Sequence, residues 1–96
     1  MSRFRGALQD VILDTIPNLR DHDDPFAILA IADGTYLQTY WNSDGTYDLE
    51  HQLVTTKFHY RALGKVNVGN VCDAFISYAF GKKEWATDFT WERVKL

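Results

Sequence analysis

Residues 26–63, FAILAIADGTYLQTYWNSDGTYDLEHQLVTTKFHYRAL, read as one antiparallel meander broken by two turns, Asp33-Gly34 and Asp44-Gly45. Each Asp-Gly pair lies between β-branched and aromatic residues. That is a strong hairpin signal, because a type I′ turn needs positive φ at both central positions. With these pairs at the turn centres, Ile31 faces Tyr36, Leu29 faces Gln38 and Ala27 faces Tyr40. Beyond the second turn, Tyr40 faces Leu49, Gln38 faces His51 and Tyr36 faces Leu53. Alternation then collects Ala27, Leu29, Ile31, Tyr36, Tyr40, Tyr47, Leu49 and Leu53 on a core face, with Gln38 and His51 as its polar members. The opposite face carries Phe26, Ile28, Leu37 and Trp41 beside Asp48, Glu50 and Gln52, so it is half apolar and half acidic.

The 96 residues suffice for a single domain that buries on the order of 65% of its unfolded surface and folds without staples. A hydrophobic content of 46%, with aromatic residues in strand-like runs, fits a compact sheet protein rather than a disordered chain. The net charge of −3 disfavours a nucleic-acid partner, which calls for a basic stripe, and makes a basic protein the easier partner. A lone cysteine, Cys72, cannot close an internal disulfide, and the chain has no charged-then-apolar leader, so a reduced, cytoplasmic setting is expected. The longest apolar run, 26–32, is far below the roughly 20 residues of a membrane span, so no membrane association is expected.

Before the meander, Ser2 can cap a helix in which Phe4, Ala7, Leu8, Val11, Ile12 and Ile16 recur at helical spacing, and Pro17 ends it. So short a helix is marginal in water by itself and is expected to dock on the meander. Asp21, His22, Asp23 and Asp24 are of metal-ligating type, but consecutive residues of one loop do not converge on an ion, and solvated turns are the commoner use. No metal or cofactor is expected. After the third strand, a turn at Thr55-Thr56 sets Phe58 beside Leu53, Ala62 beside Leu49 and Arg61 beside Glu50, with a longer loop or shifted register as the alternative. Asn67 caps a second helix running to about Phe80. Its apolar set is Val68, Val71, Cys72, Phe75, Ile76, Tyr78 and Ala79, its wet side is Asn70, Asp73 and Ser77, and Gly81 supplies the left-handed end. The closing stretch alternates Phe89, Trp91 and Arg93 against Thr90, Glu92 and Val94, and is expected to add a strand to the sheet. The expected fold is thus α+β: helix, four-stranded antiparallel meander, helix and C-terminal strand, with the helices on one sheet face.

No catalytic signature emerges. Cys72 lies on a helix face without the cationic or helix N-terminal surroundings that activate a thiol, so it reads as structural. His51, Tyr60 and Gln38 can form a polar cluster on the core face, able to hold a small ligand or move a proton, although such a histidine is more often simply bonded within the core. Asp48 and Glu50 share one strand face but no pocket that would split their pKa values. Lys57, His59 and Arg61 face Glu50 and Gln52, which reads first as cross-strand pairing and second as a phosphate site. The outer face remains. Phe26, Ile28, Leu37 and Trp41 break the usual outward polarity of an antiparallel sheet, and their rim of Asp48, Glu50 and Arg61 marks a protein contact, unless the C-terminal segment with Trp85 and Phe89 folds across it.

The run YLQTYWNSDGTYDLEH (36–51), HYRA (59–62), V-x-x-AF-x-SYA-x-G (71–81) and W-x-x-x-F-x-WE-x-V (85–94) resembles small bacterial α+β proteins of the immunity-protein and secretion-chaperone-like (peptide-binding chaperone) group. The resemblance implies a non-enzymatic, commonly dimeric protein that binds a partner polypeptide on a sheet or helix surface. The leading expectation is therefore a binding module that masks a partner. A small-ligand binder or minor enzyme built on His51, Tyr60 and Gln38, and a phage-type or structural assembly protein, are the competing ones.

Overall fold

The computed structural model describes residues 3–95, with side chains from Leu8 onward. The elements run α1 (Arg3–Thr15), a 3₁₀ turn (Leu19–Asp21), β1 (Phe26–Ala32), β2 (Thr35–Trp41), β3 (Tyr47–Leu53), β4 (Thr55–Ala62), α2 (Val68–Ala79), α3 (Glu84–Thr87) and β5 (Trp91–Val94). The strands form one open antiparallel sheet in the order β1-β2-β3-β4-β5. The α+β meander expected from the sequence is the observed one, with the short α3 added before the closing strand. Ser2, expected as the cap of α1, lies outside the described residues, as do the side chains of Phe4 and Ala7.

The register differs from the expected one, and the reason is local. At the first turn Ala32 still opposes Thr35, as a two-residue loop demands, but a bulge between Ala30 and Ala32 moves the pairing by one, so Leu29 opposes Leu37 and Ala27 opposes Thr39. At the second turn the loop takes three residues. The Asn42 amide donates to the Thr46 carbonyl (2.8 Å), the Gly45 amide donates to the Asn42 carbonyl (2.9 Å), and Gly45 alone turns left-handed (φ 87°). Neither aspartate has positive φ, so the type I′ geometry is not used; a type I turn closed by a left-handed glycine is the next most common hairpin. Both changes act on β2, and a one-residue slip sends every side chain of a strand to the other face. Leu37, Thr39 and Trp41 therefore point to the core, whereas Tyr36, Gln38 and Tyr40 point outward.

The β3–β4 pairing follows the expected register where Glu50 opposes Arg61 and His51 opposes Tyr60. Near the turn it does not. Leu53 opposes Thr55, not Phe58, and the chain reverses through Val54, a β-branched residue at φ 70°. The Val54 amide donates to the Thr35 hydroxyl (3.0 Å), and the Val54 carbonyl lies so close to Gly34 that a Cβ there would overlap it. The two hairpin ends brace each other.

α2 begins where Asn67 accepts a hydrogen bond from the Asn70 amide (2.8 Å) and ends before Gly81 (φ 71°). It lies over β1, β2 and β3, burying Val71, Cys72, Ala74, Phe75 and Tyr78 against Leu37, Tyr47, Leu49 and Ala62. Ser77, expected on the wet side, is buried, and its Oγ accepts from the Trp85 amide (3.0 Å), which ties α3 to α2. α1 packs beside α2 through Ile12, and the chain just after it is anchored where the Tyr47 hydroxyl donates to the Ile16 carbonyl (3.0 Å). Val11, expected in the core stripe, is 58% exposed, because α1 sits at the border of the sheet rather than over its middle.

Candidate partner-binding face

Phe26 and Ile28 lie on the sheet face away from the helices, where they were expected, and are 46% and 51% exposed. Asp48, Glu50 and Arg61 share that face through the alternation of β3 and β4. Leu37 and Trp41 do not belong to it. Leu37 is fully buried beneath the helices and Trp41 packs against the same core, because the slipped register turns the odd-numbered residues of β2 inward. Tyr40, expected in the core, takes their place outside: it pairs with Phe26 and is 50% exposed. The C-terminal segment does not cover this surface. Trp85, Phe89 and Trp91 pack on the core side, and the Trp91 indole N–H donates to the Ala86 carbonyl (3.0 Å).

Next to the apolar strip of Phe26, Ile28, Tyr36 and Tyr40 lies a hydrogen-bonded polar row: the cross-strand pairing of His59 with Glu50 and Gln52 was expected, whereas Gln38 and Tyr36, expected on the core face, join it. The Gln38 amide donates to Glu50 Oε1 (3.1 Å), which also meets His59 Nε2 (2.6 Å). His59 Nδ1 lies 3.0 Å from Gln52 Oε1, which accepts in turn from the Tyr36 hydroxyl (3.2 Å). Gln52 Nε2 donates to the Gly34 carbonyl (3.1 Å), and that bond fixes which end of the amide faces the histidine. Both ring nitrogens of His59 thus lie within hydrogen-bond distance of side-chain oxygens, Glu50 on one side and Gln52 on the other. The ring is 3% exposed although no helix covers this side, so its neighbours on the sheet are held in place around it. A network with every member satisfied stiffens the surface it lies in.

The other charged groups are engaged separately. Arg61 pairs with Glu92 (2.7 Å), not with the Glu50 opposite it, and Lys65 pairs with Asp48 (3.3 Å) beside a cleft of about 270 Å³ at the ends of β3 and β4. The basic row of Lys57, His59 and Arg61 is therefore not a free phosphate site, and Asp48 and Glu50 face different partners. Among the described residues, no three His, Cys, Asp or Glu side chains gather as metal ligands; Asp21, His22, Asp23 and Asp24 all lie in solvent.

On the helix side, His51 and Tyr60 do meet, with rings stacked at 4.9 Å and 17°, while Trp85 and Trp91 stand edge-on to the imidazole at 4.9 and 4.5 Å. Gln38 is on the opposite face, so the expected three-residue cluster does not form. Burial, helped by the charge of His59, lowers the His51 pKa to about 4, which leaves a neutral ring packed as an aromatic. Burial likewise raises the Cys72 thiol, first through desolvation and then through Asp73, so little thiolate forms. No family model, curated protein or solved structure matches the chain. Among the described residues, no helix is long and apolar enough to cross a membrane.

Signals for the observed facing of β2 were present. In the expected register Gln38 stood unpartnered in an apolar core, and shifting β2 by one brings it beside Glu50. Of the competing core sets, Leu37-Thr39-Trp41 is also the more apolar, since Tyr36-Gln38-Tyr40 would bring an amide and two phenols into the core. Thr39 is tolerated inside because its hydroxyl donates to the Asp48 carbonyl (2.7 Å).

Proposed function

We infer that this chain is a non-enzymatic protein-binding module of the immunity-protein or peptide-binding-chaperone kind, which masks a partner polypeptide with the outer face of its sheet. The observation that carries this reading is the uncovered strip of Phe26, Ile28 and Tyr40, each about half exposed, set beside the stiffened Gln38-Glu50-His59-Gln52 row. An apolar strip with a polar rim is the anatomy of a protein contact. A reading as an enzyme loses support from the separation of Gln38 from His51 and Tyr60, and from a buried, poorly ionised Cys72. Acidic groups at the margin favour a basic partner.

The test is partner capture followed by titration. Tyr40→Ala is expected to weaken the complex by about 30-fold, a hot-spot loss of about 2 kcal/mol, with little change in melting temperature. Trp41→Ala is expected to do the reverse, lowering stability by about 3 kcal/mol through a cavity beside Tyr47. Unaltered affinity in Tyr40→Ala and in Ile28→Asp would remove the outer face from consideration.

A further inference from the structure

We propose that the free edge of β1 takes up an extended segment of the partner as an additional strand, one whose side chains alternate between apolar and small polar types and whose ends are basic. This rests on the reading of the chain as a protein-binding module and specifies how the partner is held.

The backbone comes first. The Trp41 amide donates to the Pro25 carbonyl (2.8 Å), which fixes the phase of the β1–β2 ladder: Ala27 and Leu29 exchange hydrogen bonds with Thr39 and Leu37. Ile28 and Ala30 then turn their N–H and C=O groups away from β2, to a side where no other strand lies among the described residues. Sheet edges are normally blunted by shortness, charge or proline. The far edge follows that rule, since β5 has four residues and includes Glu92 and Arg93. β1 has seven, FAILAIA, without a charge or a proline.

Side chains come second. A strand added to β1 would send alternate side chains to the two faces of the sheet. On the outer face they would lie beside Phe26 and Ile28. On the helix side they would enter an apolar groove of about 140 Å³ between α1 and β1, walled by Leu8, Val11 and Ile12 on one side and by Ala27 and Leu29 on the other. This groove also accounts for the exposed Val11, which forms its rim.

Charge decides the occupant. Asp23 and Asp24 stand just before β1 and Asp33 just after it, all exposed. If β1 paired with β1 of a second copy, an antiparallel arrangement would set Asp24 near Asp33, and a parallel one would set like residue beside like. Both bring aspartates together with no cation between them. A segment with a lysine or arginine at each end meets the same aspartates favourably.

The experiment titrates the full ¹⁵N-labelled chain with a blocked octapeptide of alternating valine and threonine carrying a lysine at each end, and reads amide hydrogen exchange. At saturation the Ile28 and Ala30 amides are expected to exchange at least 10-fold more slowly, and a glutamate-ended peptide is expected to bind at least 10-fold more weakly. Ala30→Pro removes a donor from the free edge without removing a bond to β2, and is expected to abolish the protection. Ile28→Lys, at an exposed site of the same strand, is expected to weaken the lysine-ended peptide at least 3-fold and keeps the test open if the proline variant does not fold. Equal binding of the two peptides, or protection that grows with protein concentration in the absence of peptide, would overturn the proposal, the latter in favour of a second copy. Peptide-induced shifts at Phe26 and Tyr40 with unchanged exchange at Ile28 and Ala30 would overturn it while leaving the outer-face reading standing. Edge protection together with a native partner indifferent to Tyr40→Ala would do the opposite.

Discussion

The Tyr78 hydroxyl is buried on α2 and has no hydrogen-bond partner among the described residues, while its ring stands edge-on to Trp85 at 5.0 Å. Burial raises its pKa, so the neutral phenol persists at any ordinary pH. An unsatisfied buried hydroxyl costs about 1–3 kcal/mol, whereas the ring contact survives its removal. Tyr78→Phe is therefore expected to stabilise the protein by about 1 kcal/mol, seen as a rise in melting temperature of about 4–8 °C. Val54 is a second residue whose conformation works against it, being β-branched at φ 70°. Neither feature was readable in the sequence, because each depends on atoms distant along the chain: Trp85 and the α2 packing for one, Thr35 and Gly34 for the other.

At the scale of elements, the two Asp-Gly hairpins look alike in sequence but differ in what surrounds their glycines. Both glycines are left-handed, yet a Cβ at Gly45 would meet open space, whereas one at Gly34 would overlap the Val54 carbonyl. Gly45→Ala is expected to cost about 1 kcal/mol, the backbone penalty alone, and Gly34→Ala clearly more, about 2 kcal/mol or above. Urea denaturation of both variants checks the ranking. Equal costs would mean that the hairpin ends do not brace each other. The positions of strands, turns and helices were legible because Asp-Gly, Pro17, Asn67 and Gly81 punctuate the chain by simple backbone rules. The face of β2 was not, since it hung on the bulge at Ile31 and on the third residue of the second loop, and nothing in FAILAIA marks the bulged position over its neighbours. Of the expected partner-binding residues, Phe26, Ile28, Asp48, Glu50 and Arg61 lie on strands whose faces were read correctly, and Leu37 and Trp41 on the one strand that slipped.

For the whole molecule, the aromatic packing of His51 has an acid consequence. An unfolded histidine titrates near 6.5, and the folded ring titrates at about 4. Well above pH 6.5 both states are neutral and pH has no effect through this residue. Between pH 6.5 and 4 the unfolded chain takes up a proton that the folded ring refuses, so stability falls as pH falls. The full loss is about 2–3 kcal/mol, the upper figure applying only if no water reaches the ring. His51→Phe keeps the stack on Tyr60 and removes the proton site. The stability difference between pH 7 and pH 5, measured by chemical denaturation, is expected to be about 1–2 kcal/mol smaller in the variant than in the parent. An identical pH dependence would show that His51 is not held neutral by the core.

Sheet order and chain order coincide through the first four strands, so each strand can pair with the one made just before it. Such sequential, short-range pairing is the fast end of sheet formation. The layer that shields the sheet comes later: when Ala62 leaves the ribosome, residues 63–79 have still to emerge behind it, on the order of a second or more at roughly 5–20 residues per second. Throughout that interval the nascent hairpins present Leu37 and Leu49 on one side and Phe26 and Ile28 on the other, with the β1 backbone bare at the margin. The meander is thus stickiest between the emergence of β4 and the docking of α2, the step that removes Leu37 and Leu49 from water.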